Sequence, residues 1–296
     1  MTRAQVLKIK KRRQRKRFFI AFLVVFGLFF VGTSIKFSQK TASDVVEAGD
    51  LSESILLMSE KSAINMAFEH EKVLMEEERL EKARIEYQQK KQIEEEQKQQ
   101  EMNKKIAYLT FDDGPSKITP EILDVLKNYD VKATFFVIGN LAEQNSDTIR
   151  RMYEEGHAIG NHSYSHRYKT IYKNTTNFLN ELKTTEKVLK NILGEEFETK
   201  IIRFPGGSFG NKKAAFRKAV VNNGYSYYDW NALNGDAEGH NIPKNKLVQR
   251  LKNTSNGQKK LIVLMHDMGA KKTTVAALPE IIEYLQQSGY EFDVLK

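Results

Sequence analysis

The sequence predicts a parallel α/β domain of about seven strands, open or closed into a barrel, preceded by a transmembrane helix and a long charged helix. Three observations lead there. From Ile106 to the C-terminus short apolar runs alternate with amphipathic helical patterns, the signature of strands joined by crossover helices. Before Ile106 the composition changes twice, from basic to apolar and then to a Glu/Lys/Gln-rich stretch. Ionisable residues recur just after five of the strand-like runs, where parallel α/β folds gather functional groups.

The first element, residues 1–17, holds nine basic side chains and no acid, and these nine account for the whole formal net charge of +9. The remaining chain is neutral, which argues against a nucleic-acid partner. Phe18 to Ile35 follows without a charge, a length that just crosses a hydrocarbon core of roughly 30 Å. The basic flank predicts a cytoplasmic N-terminus, a single span at 18–35 and an outward-facing remainder at the cell membrane. A cleaved signal peptide is the alternative, but the run is long and no Ala-x-Ala site follows it.

Residues 36–105 form a linker and stalk. Residues 36–58 read as polar linker, and from Ser59 to Lys105 there is neither Gly nor Pro. Glu, Lys and Gln are strong helix formers, so a solvated helix of roughly 70 Å is expected there. Met66, Val73, Leu80 and Tyr87 repeat every seven residues, while the second seam position reads Glu69, Glu76, Ala83 and Lys90. That pattern predicts a single helix or a weak coiled-coil homodimer.

The catalytic candidate spans 106–296. Strands are expected at Ile106–Phe111, Ala133–Ile138, His157–Gly160, Ile201–Phe204, Tyr225–Trp230, Leu261–Met265 and Phe292–Leu295. Helices are expected at Pro120–Asn128, Asp147–Glu155, Asn177–Leu193, Ala214–Asn222, Lys244–Asn253 and Val275–Gln287. Thr119 reads as an N-cap before Pro120, and Gly156, Gly194, Gly224 and Gly289 as helix stops. The chain has no cysteine, so thiolate chemistry and disulfides are excluded.

Asp112 and Asp113 follow the first strand in "TFDDGP", which by itself also reads as a turn. His162 and His166 follow the third in "HSYSH", four apart, a spacing that puts two imidazoles on one face of a helix or tight turn. Two imidazoles with one carboxylate form a catalytic metal shell with an open position. Arg203 stands in "RFPGGS", Asp229, Trp230 and Asp236 after the fifth strand, and His266 and Asp267 in "LMHD".

Those four motifs, in that order, resemble the polysaccharide deacetylases, the NodB-homology domain of carbohydrate esterase family four. The resemblance covers Ile106 to Lys296 and implies a distorted (β/α) barrel that hydrolyses the amide C–N bond of N-acetylated sugars with a divalent metal. It implies Asp113, His162 and His166 as metal ligands, Asp112 as general base, Arg203 as the residue positioning that base, and His266 as the acid protonating the leaving amine. The backbone N–H of Gly206 corresponds to an oxyanion donor, and Leu264 to the wall around the acetyl methyl. The two carboxylates are expected to diverge because neighbours on an extended chain point opposite ways.

This sequence departs from the family at two places. Gly206 stands where an aromatic residue is common, and "YYDWNALNGDAEG" offers two partners for His266. Aligning Trp230 with an upstream aromatic of that motif makes Asp236 the partner, with Ala237 in place of a tryptophan; Asp229 is the second choice. Two nitrogens and one oxygen suit zinc, with cobalt or nickel as alternatives. A membrane-anchored enzyme facing outward meets cell-wall polysaccharide first, so N-acetylglucosamine of peptidoglycan is the expected substrate, with N-acetylmuramic acid, poly-N-acetylglucosamine and chitin oligomers as alternatives. An inactive, structural or regulatory version of the domain is the competing reading.

Overall fold

The computed structural model describes residues 48–296, with side chains from Ser54 onward. The basic leader and the proposed span at 18–35 lie outside the described residues. Among the described residues no helix is long and apolar enough to cross a membrane.

Helix α1, Ala48–Asn103, has 56 residues. It begins inside the segment expected to be linker, because Leu, Ile, Met and Glu from Leu51 onward favour helix and no proline interrupts them. It carries Met66, Val73, Leu80 and Tyr87 on its surface, all more than half exposed.

The C-terminal unit is built on parallel strands. These are β1 (Lys105–Gly114), β2 (Thr134–Val137), β3 (Ala158–Asn161), β4 (Ile201–Ile202), β5 (Ser226–Tyr227), β6 (Ala232–Leu233), β7 (Lys260–His266) and β8 (Tyr290–Phe292). Their order is β5-β4-β3-β2-β1-β7-β6, with β8 paired to the first residues of β1. The path ends at β5 and β6 without closing, so the sheet is a half-barrel. Helices α2 (Thr119–Asn128), α3 (Gly139–Gln144), α4 (Ser146–Glu154), α5 (Tyr168–Ile171), α6 (Thr175–Leu193), α7 (Ala214–Asn222), α8 (Lys244–Ser255) and α9 (Lys272–Gln287) connect the strands.

Period-two alternation on β1 and β7 separates two faces. Ala107, Leu109, Phe111, Leu261, Val263 and Met265 join the main core with the apolar stripes of α2, α8 and α9. Tyr108 belongs to a smaller cluster with Phe136, Ile201 and Leu295 on the other face. Thr110 and Asp112 continue that second face on β1, as Leu264 and His266 do on β7, and the two rows are in register: Thr110 beside Leu264, Asp112 beside His266. The register therefore brings the base and acid candidates to neighbouring strand ends.

Several elements differ from expectation. The strand expected at Tyr225–Trp230 stops at Tyr227, because Asp229 turns to accept hydrogen bonds from Ser208, and a separate strand, β6, follows. Strand β4 ends at Ile202, before the Pro205 turn. The last strand is Tyr290–Phe292; beyond it Leu295 N–H donates to the Thr134 hydroxyl at 3.0 Å instead of joining a ladder. Helices α3 and α5, six and four residues long, are too short to show a helical period. Thr119 is not an N-cap: it lies inside α2, and its hydroxyl donates to buried Asp267 at 2.6 Å. The four glycines expected to end helices all have positive φ.

Candidate active site

At the end of β1 the ladder slips. Asp112 pairs with Phe136 and Gly114 with Val137, leaving Asp113 as an inserted residue in the left-handed region at φ 70°. The two carboxylates thus part company through a bulge, not through the alternation of an extended strand. Aspartate tolerates this conformation better than most residues. Gly114 follows because the Asp267 carboxylate occupies the space a Cβ would need.

Asp112 Oδ1 accepts from Arg203 Nη1 at 2.8 Å. The same nitrogen donates to Thr110 Oγ1 at 2.6 Å, and Nε donates to the Tyr228 carbonyl at 2.9 Å. Arg203 is fully buried, with its guanidinium 4.2 Å from the Phe136 ring centre. A buried ion pair is tolerable only with such a set of further hydrogen bonds. Arg203 holds one oxygen of Asp112 and leaves Oδ2 on the side of His162, 3.9 Å from its Nε2.

His162 leaves β3 with its backbone N–H bonded to Val137 O, and the chain then turns through Ser163 and His166 at φ 71° and 52°. The histidine pair is therefore held by a tight turn and not by a helix. Asn161 Oδ1 accepts from Ser163 N, and Ser163 Oγ from His166 N. Glu181 on α6 accepts from the Tyr164 and Ser165 backbone N–H groups at 3.0 and 2.7 Å. His162 Nδ1 lies 2.8 Å from the Arg203 carbonyl, which can only accept, so the proton sits on Nδ1 and the Nε2 lone pair faces inward.

Asp113 Oδ1 lies 3.5 Å from His162 Nε2 and 3.2 Å from His166 Nε2. One ligand atom from each of the three residues falls within 4.8 Å of the others. Asp113 Oδ1 is buried and has no hydrogen-bond donor. Burial raises the Asp113 carboxyl, but His162 first, then His166 and His266, outweigh that and bring it down to about 2. Burial, then the neighbouring His162, lowers His166, which favours the neutral, ligating form despite Asp113. A carboxylate oxygen without a donor, facing the free Nε2 lone pair of His162 and the ring of His166, fits a bound cation better than it fits a closed hydrogen-bond network.

His266 stands across from this cluster. Its Nδ1 is 2.7 Å from Asp236 Oδ1, while Asp236 Oδ2 accepts from the His266 backbone N–H at 2.9 Å and the Thr274 hydroxyl at 2.8 Å. Lys271 Nζ donates to the Asp236 carbonyl at 2.5 Å. Burial lowers the His266 pKa, yet the Asp236 bond and charge more than offset it, and the net shift is upward. Of the two partners considered for His266, Asp236 makes the contact. Asp229 instead grips Ser208 through both carboxylate oxygens at 2.8 and 2.5 Å, fastening the "RFPGGS" loop. Trp230 meets Phe209 edge-on at 5.4 Å. Leu264 is buried on the site face of β7, two residues before His266. Gly206, at φ 72°, lies beside the Tyr168 ring.

Three supporting residues carry no local sequence signal for the roles they take. Glu181 sits on an amphipathic helix where an acid looks like any solvated side chain. Asp267 stands beside His266 in "LMHD" with nothing local to give it a task; it accepts from Ser116 and Thr119 hydroxyls, and burial, partly offset by those bonds, raises its carboxyl to about 6. Thr274 lies at the start of α9 with nothing in its neighbours to mark it.

The family model for polysaccharide deacetylases matches residues 99–228. A peptidoglycan-N-acetylglucosamine deacetylase of Bacillus cereus is 36% identical over 222 residues, covering 68% of this chain and 77% of that protein. Among solved structures, a Streptococcus mutans CE4 esterase is similar with a TM-score of 0.61 and 38% identity, over 66% of this chain and 87% of that one. A polysaccharide deacetylase from Bacillus cereus is similar with a TM-score of 0.59 and 35% identity, over 65% of this chain and 93% of that one.

Proposed function

The chain belongs to the polysaccharide deacetylase family, and from that premise we propose that it hydrolyses N-acetyl groups of cell-wall polysaccharide, foremost the N-acetylglucosamine of peptidoglycan. The observation that carries the reading is the donorless Asp113 oxygen facing His162 and His166.

Asp113, His162 and His166 would hold a divalent cation, zinc being best matched to two nitrogens and one oxygen, and when bound it supplies a Lewis acid for the amide carbonyl and the attacking water. Asp112 is the general base. Arg203 occupies its Oδ1, which leaves Oδ2 to take the water proton. The Gly206 N–H is the donor for the oxyanion that develops on the carbonyl oxygen. His266, its Nδ1 engaged by Asp236, gives a proton from Nε2 to the amide nitrogen, and acetate leaves the free amine. Leu264 and Trp230 are assigned to the wall of the cleft. Base and acid must begin in opposite protonation states. The Asp236 carboxylate beside His266 favours the protonated imidazole that the acid needs.

The uncharged run at 18–35 behind nine basic residues supports a single membrane span with the catalytic unit outside the cell, and α1 then serves as a stalk. The test is mass spectrometry of peptidoglycan fragments and soluble N-acetylglucosamine oligomers after incubation with the full-length protein. Loss of acetyl from glucosamine residues is expected; unchanged masses for every N-acetylated substrate reject the reading.

A further inference from the structure

Two residues past His166, Tyr168 opens helix α5 on the rim of the site. Its ring meets the His166 imidazole edge-on with centroids 5.5 Å apart. On its other side it leans on Tyr172, centroids 5.9 Å apart. Tyr172 is itself fixed: it stacks on Phe178, meets Phe216 edge-on, and donates its hydroxyl to the Pro205 carbonyl at 2.8 Å. Tyr168 is therefore firmly backed, yet it remains 50% exposed.

Opposite its hydroxyl is Gly206. A Cβ built there would lie 2.7 Å from Tyr168 Oη and 3.2 Å from its ring. The tyrosine thus fills the space a side chain at 206 would take. A wall that residue 206 cannot provide is supplied from the histidine loop.

Three of the exposed large apolar residues of the catalytic unit, Tyr168, Phe209 and Met268, stand in the connections after β3, β4 and β7, which carry site residues. An aromatic face with a polar tip matches a sugar, which presents apolar C–H faces and a rim of hydroxyls.

We propose that Tyr168 is a substrate-binding residue: its ring walls the sugar that bears the reacting acetamide, and its hydroxyl donates a hydrogen bond to that sugar. The inference rests on the deacetylase reading above. A residue that only packed His166 would act through the metal ligand instead, and the two roles separate by experiment.

Tyr168→Phe and Tyr168→Ala are made in the full-length protein. Acetate release from N-acetylglucosamine oligomers, bound metal after dialysis, and oligomer affinity by calorimetry are measured for each. Loss of one hydrogen bond raises KM about three- to tenfold in Tyr168→Phe, and loss of the ring raises it further in Tyr168→Ala. Metal content is unchanged and kcat stays within about twofold, the pattern of binding shared by ground and transition states. Unchanged KM and affinity in Tyr168→Ala overturn the proposal, as does loss of metal or kcat at constant KM. A parent protein that binds oligomer and releases no acetate rejects the deacetylase reading instead, and the calorimetric comparison of the variants still decides the role of Tyr168.

Discussion

Consider Asp236→Asn. The carboxylate does two jobs with its two oxygens: Oδ1 faces His266 Nδ1 at 2.7 Å, and Oδ2 accepts from the His266 N–H and the Thr274 hydroxyl. An amide has one oxygen. If it faces the imidazole, its NH₂ points at a backbone N–H and leaves that buried donor unpaired, at a cost of about 1–3 kcal/mol in stability. The bond to the imidazole also loses its charge assistance, on the order of 1–1.5 kcal/mol, or about tenfold in the protonated fraction on the alkaline side. The sign follows from the direction of the shift. Asp236 helps raise the His266 pKa, and the acid works only when protonated, so activity falls as pH rises through that pKa. Removing the charge lowers it, and the alkaline limb moves to lower pH. The assay is acetate release against pH on full-length parent and variant, with urea unfolding in parallel. An alkaline limb in the same place, with parental activity above it, would falsify the assignment of His266 and Asp236 as acid and partner.

Three further outcomes are expected. His162→Ala loses bound metal, whereas His266→Ala keeps it and drops kcat about 10²–10⁴-fold; equal metal loss in both variants contradicts the division of roles. Arg203→Lys cannot reproduce the fork that reaches Asp112, Thr110 and the Tyr228 carbonyl, and costs on the order of 3 kcal/mol in urea unfolding; a neutral result would mean that the buried pair does not position the base. Asp267→Asn flattens the pH dependence of stability. The folded carboxyl at about 6 binds its proton more tightly than the ordinary 3.8, so the parent loses stability as pH rises through that window, by roughly 3 kcal/mol. Identical slopes of melting temperature against pH in parent and variant would show that Asp267 is not the group responsible.

What the sequence made legible was the set of groups whose chemistry is unusual at their positions. Paired aspartates after an apolar run, histidines four apart, and an arginine and a histidine at later strand ends all come together in one place. Helix α7 matches its expected limits because its apolar period is uninterrupted. Other features depend on partners far along the chain. Asp113 adopts its left-handed conformation where the ladder slips between β1 and β2, which no local pattern announces. Glu181 becomes a brace for the histidine turn only because α6 packs beneath it, across more than a dozen residues of sequence. Two strand ends differ from expectation where a side chain accepts a backbone N–H, as Asp229 does from Ser208 and Thr134 from Leu295. The role of Tyr168 likewise emerges only once Gly206 is seen to leave its space open.

The central claim is that Asp113, His162 and His166 bind one divalent ion and that Asp112 and His266 use the site to release acetate. Its most direct test measures bound metal and acetate release together on one sample of full-length protein, before chelation, after it, and after stepwise return of zinc. The account predicts one ion per chain, activity lost with the ion, and activity regained in proportion to the metal restored. Acetate release that continues at full rate in the metal-free protein, or a fully loaded protein that deacetylates no N-acetylglucosamine oligomer, would contradict it.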